Sequence, residues 1–185
     1  MIYNREDAFE LLCRYTKAPA QIMHAKSVEG VMRHFAQLLG QDENYWGIVG
    51  LLHDLDYELH PDKHCIAVQE MLLQEGYPAE FIHAVASHGY GICCDVKPEH
   101  TMEWVLYTID ELTGLITACA YMRPSRSVMD LELSSLKKKY KDKRFAAGVS
   151  RSVIEQGAEQ LSMQLDYVLE QSILGMRAIA QDIGL

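Results

Sequence analysis

The stretch Leu51-Leu52-His53-Asp54-Leu55-Asp56 places an adjacent histidine and aspartate at the end of an apolar segment. The residues before this pair are apolar on most sides of a helix near residues 45–55, which predicts a helix of the protein core. Two polar groups at the end of such a helix destabilise the fold unless they are hydrogen-bonded or bind a ligand. The pair is therefore the first candidate for a functional site.

N-terminal to this stretch, His24 lies four residues before the start of an apolar helical face. Apolar residues recur on that face at spacings of three and four, and the face ends at Gly40; its members are Val28, Val31, Met32, Phe35, Leu38 and Leu39. Because residues four apart share one side of a helix, His24 is predicted to face the same interior.

Two further histidines are predicted to point inward from the next two helices. His64 shares a helical face with Ala67, Val68 and Met71, and His88 lies three residues after Val85. Gly76 ends the first of these helices and Pro78 begins the second. The remaining histidines are predicted to lie toward solvent or in loops: His34, His60, His83 and His100.

Asp110 interrupts a segment, residues 102–122, that is apolar nearly all round and therefore predicts a buried central helix. A buried carboxylate takes up a proton or destabilises the fold unless it has a counter-charge. A metal ion would supply that charge, and so would a buried arginine or lysine. Charged residues within the segment, Asp110 among them, argue against a membrane span.

Imidazole and carboxylate groups are ligands for divalent metal ions, so this series of residues indicates a site for one or two metals. His24, His53, Asp54 and Asp110 are predicted to converge from separate helical segments as ligands. His64 and His88 are further candidate ligands, although a single histidine on an apolar face is more often a hydrogen-bonded core residue.

The order of these six residues resembles the HD superfamily of metal-dependent phosphohydrolases, over about residues 20–115. The resemblance implies an all-α fold, an HD-domain helical bundle with additional C-terminal helices. It also implies two metal ions, because relatives with both middle histidines hold two. Many relatives follow the dipeptide with Ile-Gly-Lys, whereas this chain has Leu55-Asp56-Tyr57, so the substrate contact of that lysine is not carried over.

The resemblance implies hydrolysis of a nucleotide or another small phosphate ester by a metal-activated water. Asp54 would bridge two ions, or bind one together with His24, His53 and Asp110. The ions would be manganese, iron, cobalt, nickel, magnesium or zinc. Besides Asp54, we expect the catalytic candidates for orienting water or protonating the leaving group to be Asp56, Lys26 and Glu58.

Two alternative functions fit the same residues. HD-type oxygenases use a diiron centre held by a similar series of ligands to activate dioxygen. A regulatory module that binds a nucleotide without turning it over is the other alternative. Metal content and turnover would separate all three functions.

The length of 185 residues predicts one HD-type domain over residues 1–185, with a C-terminal helical extension at about 123–185. The formal net charge of -9 argues against nucleic acid as a partner. Acidic residues precede any apolar run at the N-terminus, so we expect no signal peptide, no membrane association and a cytoplasmic protein. The five cysteines form no C-x-x-C pair and are expected to be reduced, buried thiols.

The C-terminal third contains the only basic concentration in this acidic sequence, Lys137, Lys138, Lys139, Lys141, Lys143 and Arg144. It indicates either a solvated helix face or a cradle for substrate phosphate, with Arg123 or Arg126 as further contacts. Ser134 or Ser135 is predicted to cap a helix that begins at Leu136. The closing helices, residues 150–183, either pack on the core or form a homodimer face.

Overall fold

Helices account for nearly all regular structure in the computed structural model, which describes residues 4–185. No signal peptide is expected at the N-terminus, and the first three residues of that segment lie outside the described residues. The β-type pairing within the described range is limited to an isolated bridge between Tyr90 and Cys94. The all-α fold class is confirmed.

Ten α-helices occur within residues 4–185: α1 (Arg5–Tyr15), α2 (Pro19–Leu38), α3 (Glu43–Leu52), α4 (Ala67–Gln74), α5 (Ala79–Ala86), α6 (Thr101–Tyr121), α7 (Leu133–Lys141), α8 (Arg151–Gln160), α9 (Leu165–Ala178) and α10 (Ala180–Ile183). Two short 3₁₀ turns, Pro61–Lys63 and Ser87–Gly89, precede α4 and follow α5.

The centre of the fold is built on α2 and α6, which pack on each other. Helix α2 begins with Pro19, whose fixed backbone angle suits the first helical position, and Gly40 follows its end with a φ of 65°. Helix α3 packs closely along α2 at Gly50, where an added Cβ would lie 2.8 Å from Met32 Cγ. Leu38 is 44% exposed rather than inward, since its position about 2.8 turns after Val28 takes it off the buried stripe.

Helix α6 matches the predicted central helix almost residue for residue. It is buried on most sides, and it contacts α2, α8 and α9. The C-terminal helices also pack on this core, through α8 on α6, α9 on α2 and α10 on α2. None of the described helices is both long and apolar enough to cross a bilayer. The homodimer face stays a prediction.

Three local predictions are wrong at helix ends. His64 precedes α4 instead of lying within it, because Cys65 has a φ of 64° and interrupts the helical path. His88 lies in the 3₁₀ turn after α5. Helix α7 begins three residues earlier than predicted, because the extended Glu132, rather than Ser134 or Ser135, is the residue before its first turn.

The contact between α6 and α8 yields a stability prediction at Gly157. A Cβ there would lie 2.8 Å from Thr108 Cβ, so Gly157→Ala forces two helices apart. We expect the free energy of unfolding, measured by urea denaturation, to fall by about 1–3 kcal/mol.

Gly114→Ala is the matched control, because Gly114 also lies within a helix and its added Cβ would meet only Val149 Cγ2, at 3.9 Å. There the better helix propensity of alanine should raise stability by up to about 1 kcal/mol. Equal effects of the two substitutions would contradict the packing argument.

Candidate metal centre

The structure brings all six predicted ligand residues into one cluster. His24 comes from α2 and Asp110 from α6, the two central helices. His53 and Asp54 follow the last residue of α3, where the chain turns away from the helix axis. The cluster is completed by His64 and His88, from the segments before α4 and after α5.

One half of the cluster contains His24, His53, Asp110 and one oxygen of Asp54. Asp110 Oδ1 lies 2.9 Å from His24 Nε2 and 3.3 Å from His53 Nε2. The two imidazole Nε2 atoms are 3.2 Å apart, and Asp54 Oδ2 lies 3.6 Å and 3.4 Å from them. Donors bound at right angles to one ion at about 2.1 Å would be about 3.0 Å apart, so this spacing fits a common metal.

The other half contains His64, His88 and the second oxygen of Asp54. The Nε2 atoms of the two histidines are 3.1 Å apart. Asp54 Oδ1 lies 3.3 Å from His64 Nε2 and 3.6 Å from His88 Nε2. Each oxygen of the Asp54 carboxylate therefore faces one histidine pair, so Asp54 could offer one oxygen to each half of the cluster.

Hydrogen bonds on the far side of each ring orient these histidines. His53 Nδ1 lies 2.8 Å from the carbonyl oxygen of Gly50, and His88 Nδ1 lies 2.6 Å from that of Val85. A carbonyl oxygen can only accept, so in both rings Nδ1 carries the proton and Nε2 is free to bind a metal. The polypeptide itself thus selects the tautomer that a metal site needs.

Asp56 performs the same task for His64. Its carboxylate is fully buried, accepts a hydrogen bond of 2.8 Å from His64 Nδ1 and accepts another of 2.9 Å from the Val68 N–H. Asp56 was expected to orient water or protonate a leaving group. It does not line the pocket at the cluster, because its oxygens are committed to His64 and the start of α4. Asp56 is therefore a positioning residue that orients the His64 ring.

Burial and charge shift the protonation equilibria in opposite directions. Burial lowers the pKa of His53, but Asp54 and Asp110 raise that pKa well above its usual value. Burial raises the pKa of Asp54, yet His53 holds it well below the usual range of a carboxyl group. The Asp54 carboxylate is thus stabilised in its charged form, which is the form that binds a cation.

A pocket of about 470 Å³ opens over the cluster. Five of the six ligand residues line it, while His53 is fully buried behind them. The walls include small residues, Ala20, Gly89 and Gly114, and larger ones that the sequence reasoning did not select, Gln21, Tyr57, Ile92, Glu111 and Val149. The mixed walls fit a small substrate with apolar and hydrogen-bonding parts.

Glu111 is the most informative of the residues that were missed. It lies beside Asp110, accepts a hydrogen bond of 2.9 Å from the Ser150 N–H and lines the pocket. Burial raises the pKa of Glu111 above its usual value. An acidic residue directly after Asp110, in a largely apolar helix, was the available signal for it.

Lys26 and Glu58 do not lie at the pocket, contrary to expectation. Lys26 is two residues after His24, which places it on the opposite side of α2, and its Nζ lies 5.0 Å from the centre of the Phe9 ring. Glu58 accepts hydrogen bonds from the N–H groups of Ala18 and Lys17, which lower its pKa. Glu58 therefore fixes the start of α2.

The lysine cluster also lies outside the pocket. None of Lys137, Lys138, Lys139, Lys141 and Lys143 is among the described pocket-lining residues. Lys137 pairs with Asp166, and Lys139 Nζ lies 4.6 Å from the centre of the Phe145 ring. Arg123, which with Arg126 was a further expected phosphate contact, pairs with Asp130; Arg126 is not among the described pocket-lining residues either. These contacts favour the solvated helix face.

Three cysteines lie beside the cluster, which their sequence spacing did not indicate. Cys65 Sγ is 3.6 Å from His88 Nε2, and Cys93 lines the pocket. A hydrogen bond from Cys65 lowers the pKa of Cys93 to about 6. Cys94 belongs to the same group and donates to the carbonyl oxygen of Ala86.

Comparison with known proteins identifies one family. Residues 22–112 match the family model described as HD domain. The matched range contains all six clustered residues and runs from α2 into α6. No curated protein and no solved structure shows a significant match.

The shared position of Asp54 predicts how metal content responds to substitution. Asp54→Ala should lose both ions, because each ion loses a carboxylate oxygen. His64→Ala and His88→Ala should lose chiefly one ion and keep the other. Elemental analysis of the purified variants measures this, and unchanged stoichiometry in the histidine variants would make these two residues ordinary core histidines.

Asp56→Asn should lower the affinity for one of the two ions about 10- to 100-fold. The reason is that an amide cannot accept hydrogen bonds from both His64 and Val68, so the His64 ring loses its orientation. Metal titration of the apoprotein measures the two affinities. Asp62→Asn is the control, since Asp62 is exposed in the 3₁₀ turn nearby. Weakening of both ions alike, or an equal effect of the control, would contradict the role of Asp56.

Proposed function

We propose that this chain, which carries an HD domain over residues 22–112, hydrolyses a small phosphate ester at a site for two divalent metal ions. The observation that carries this proposal is the Asp54 carboxylate, whose Oδ2 faces His24 and His53 and whose Oδ1 faces His64 and His88. Phosphoester hydrolysis often uses two ions that share ligands in this manner.

The donor set fits borderline divalent ions. Imidazole nitrogen with carboxylate oxygen suits manganese, iron, cobalt, nickel and zinc, and suits magnesium less well. One ion would be held by His24, His53, Asp110 and Asp54, and the other by His64, His88 and Asp54. When bound, such ions lower the pKa of water and neutralise phosphate oxygens as negative charge develops.

The protein's own contribution is to fix the donors before substrate arrives. The carbonyl oxygens of Gly50 and Val85 and the carboxylate of Asp56 hold three rings with Nε2 toward the centre. Helices α2 and α6, which pack on each other, supply His24 and Asp110. A site that is organised in advance needs little rearrangement as the transition state forms.

The pocket supports a small substrate. Ala20, Gly89 and Gly114 leave space close to the ligands, and Tyr57 and Glu111 offer an aromatic ring and a carboxylate to the leaving group. We propose a nucleotide or another small phosphate ester. A nucleic acid is disfavoured, because the net charge of -9 repels a phosphate backbone.

The test is a panel of phosphate esters offered to the protein after reconstitution with manganese, cobalt, nickel or iron separately. We expect phosphate release that depends on added metal and falls to background in Asp54→Ala. Glu58→Gln is a suitable control, because Glu58 lies outside the pocket, and it should keep its turnover.

Two other outcomes would overturn the proposal. Oxygen uptake with iron and no phosphate release would identify a diiron oxygenase. Nucleotide binding without product, in protein that retains its metal, would identify a regulatory module.

Replacing Lys138 or Lys143 by glutamine should leave turnover unchanged and move the free energy of unfolding by no more than about 0.5 kcal/mol, as is usual for exposed surface sites. The physical reason is that neither side chain lines the pocket. A ten- to hundredfold fall in kcat/KM with fold and metal content intact would restore the lysines as phosphate contacts, since that range equals about 1.4–2.7 kcal/mol.

A further inference from the structure

Cys65 and Cys93 approach each other beside the His64 and His88 half of the candidate metal centre. Both sulfur atoms lie against Gly89. A Cβ added at Gly89 would clash with Cys65 Sγ and with Cys93 Sγ. Glycine at this position therefore allows the two thiols to face each other.

The backbone at Cys65 is strained in the same place. Its φ of 64° is in the left-handed region, which a residue with a side chain seldom adopts, and the residue is fully buried. Such outliers persist only where surrounding contacts hold them, and they concentrate at functional sites. Here the unusual backbone lies directly after His64, with the thiol beside Gly89.

The two thiols differ in access. Cys65 is fully buried, whereas Cys93 is half-buried and lines the pocket over the metal ligands. A small molecule that enters the pocket would therefore meet Cys93 first, with Cys65 behind it. An accessible thiol beside a buried second thiol is the usual arrangement of a cysteine pair that oxidises reversibly.

We propose that Cys65 and Cys93 are a modification site, a reversible disulfide that forms under peroxide and releases the metal ion held by His64 and His88. In the first step the Cys93 thiolate attacks one oxygen of hydrogen peroxide, the O–O bond breaks, and Cys93 sulfenic acid and hydroxide form. In the second step Cys65 sulfur attacks the Cys93 sulfur and displaces its oxygen, which leaves as water after taking up the Cys65 proton. Two thiols and one peroxide thus give one disulfide and two waters.

The link to the metal follows from the contacts of Cys65. Its sulfur lies 3.6 Å from His88 Nε2, and its backbone directly follows His64. A disulfide bond of about 2.05 Å is much shorter than a contact between two thiols, so the two sulfurs must move toward each other. Because Cys65 directly follows His64 and its sulfur contacts His88, we expect this movement to displace both histidines from the geometry that the metal requires and to leave His24, His53 and Asp110 in place.

The experiment uses the full chain loaded with metal and exposed to hydrogen peroxide. We expect the count of free thiols to fall by two, one of two ions to be lost, and both changes to reverse with dithiothreitol and added metal. The cross-link is mapped by digestion at glutamate, because no lysine or arginine lies between His64 and Lys97 and trypsin leaves all three cysteines on one peptide. Glu70, Glu75 and Glu80 supply cleavage sites between Cys65 and Cys93.

Cys93→Ser and Cys94→Ser form the matched pair, since they make the same change at adjacent positions. Circular dichroism first establishes that each variant is folded. Cys93→Ser should abolish the disulfide and retain both ions under peroxide, whereas Cys94→Ser should behave like the unmodified protein.

Three results would overturn the proposal: a disulfide that includes Cys94, thiols that survive peroxide, or a Cys65–Cys93 cross-link with unchanged metal content. Thiol mapping works whether or not any phosphate ester is hydrolysed. A failure of this inference is therefore distinguishable from a failure of the proposed function.

Discussion

The contact of the Asp54 carboxylate with two pairs of histidines constrains the centre of this structure. The ligand residues His53 and His88 are buried, as is the positioning residue Asp56, and the other ligand residues are partly shielded from water. Charged and polar groups in such a place destabilise a protein unless they are paired or bind a cation. Two metal ions would neutralise Asp54 and Asp110 together, and the surrounding hydrogen bonds already orient three of the histidine rings toward the centre of the cluster.

The ligands are divided between rigid helices and helix ends. His24 and Asp110 come from the interiors of α2 and α6, where the backbone hydrogen bonds are complete and the positions are fixed by packing. The other four come from turns, where the chain can direct a ring without following a helical repeat. Those turns leave backbone carbonyls near the rings, and His53 and His88 use the carbonyls three residues before them.

The sequence allowed the long, periodic features to be predicted well. The bounds of α6 and the all-helical class follow from helical spacing, because burial of an apolar face leaves little freedom over twenty residues. The full set of six ligand candidates came from the resemblance to the HD superfamily. The interior position of His64 was predicted correctly, but its helix was not, since the left-handed Cys65 breaks the periodicity on which the prediction rested. The roles expected for Lys26 and Glu58 rested on nearness in sequence. Nearness in sequence does not determine which side of a helix a residue occupies or which group a loop side chain contacts.

Other features depend on tertiary contacts that no local pattern contains. The meeting of Cys65 with Cys93 requires α4 and α5 to pack on each other and requires a glycine at the point of contact. The pocket position of Glu111 depends on the segment before α8, which presents the Ser150 N–H to it. Such contacts join residues tens of positions apart, so their geometry appears only when the chain is folded.

An anomalous-diffraction map from crystals of this protein grown with manganese would locate the ions relative to Asp54. Two peaks are expected about 3.5–4 Å apart, on either side of Asp54, one beside His24, His53 and Asp110 and the other beside His64 and His88. A single peak that does not contact Asp54, or no peak within this cluster in crystals that contain manganese, would contradict this arrangement of two ions.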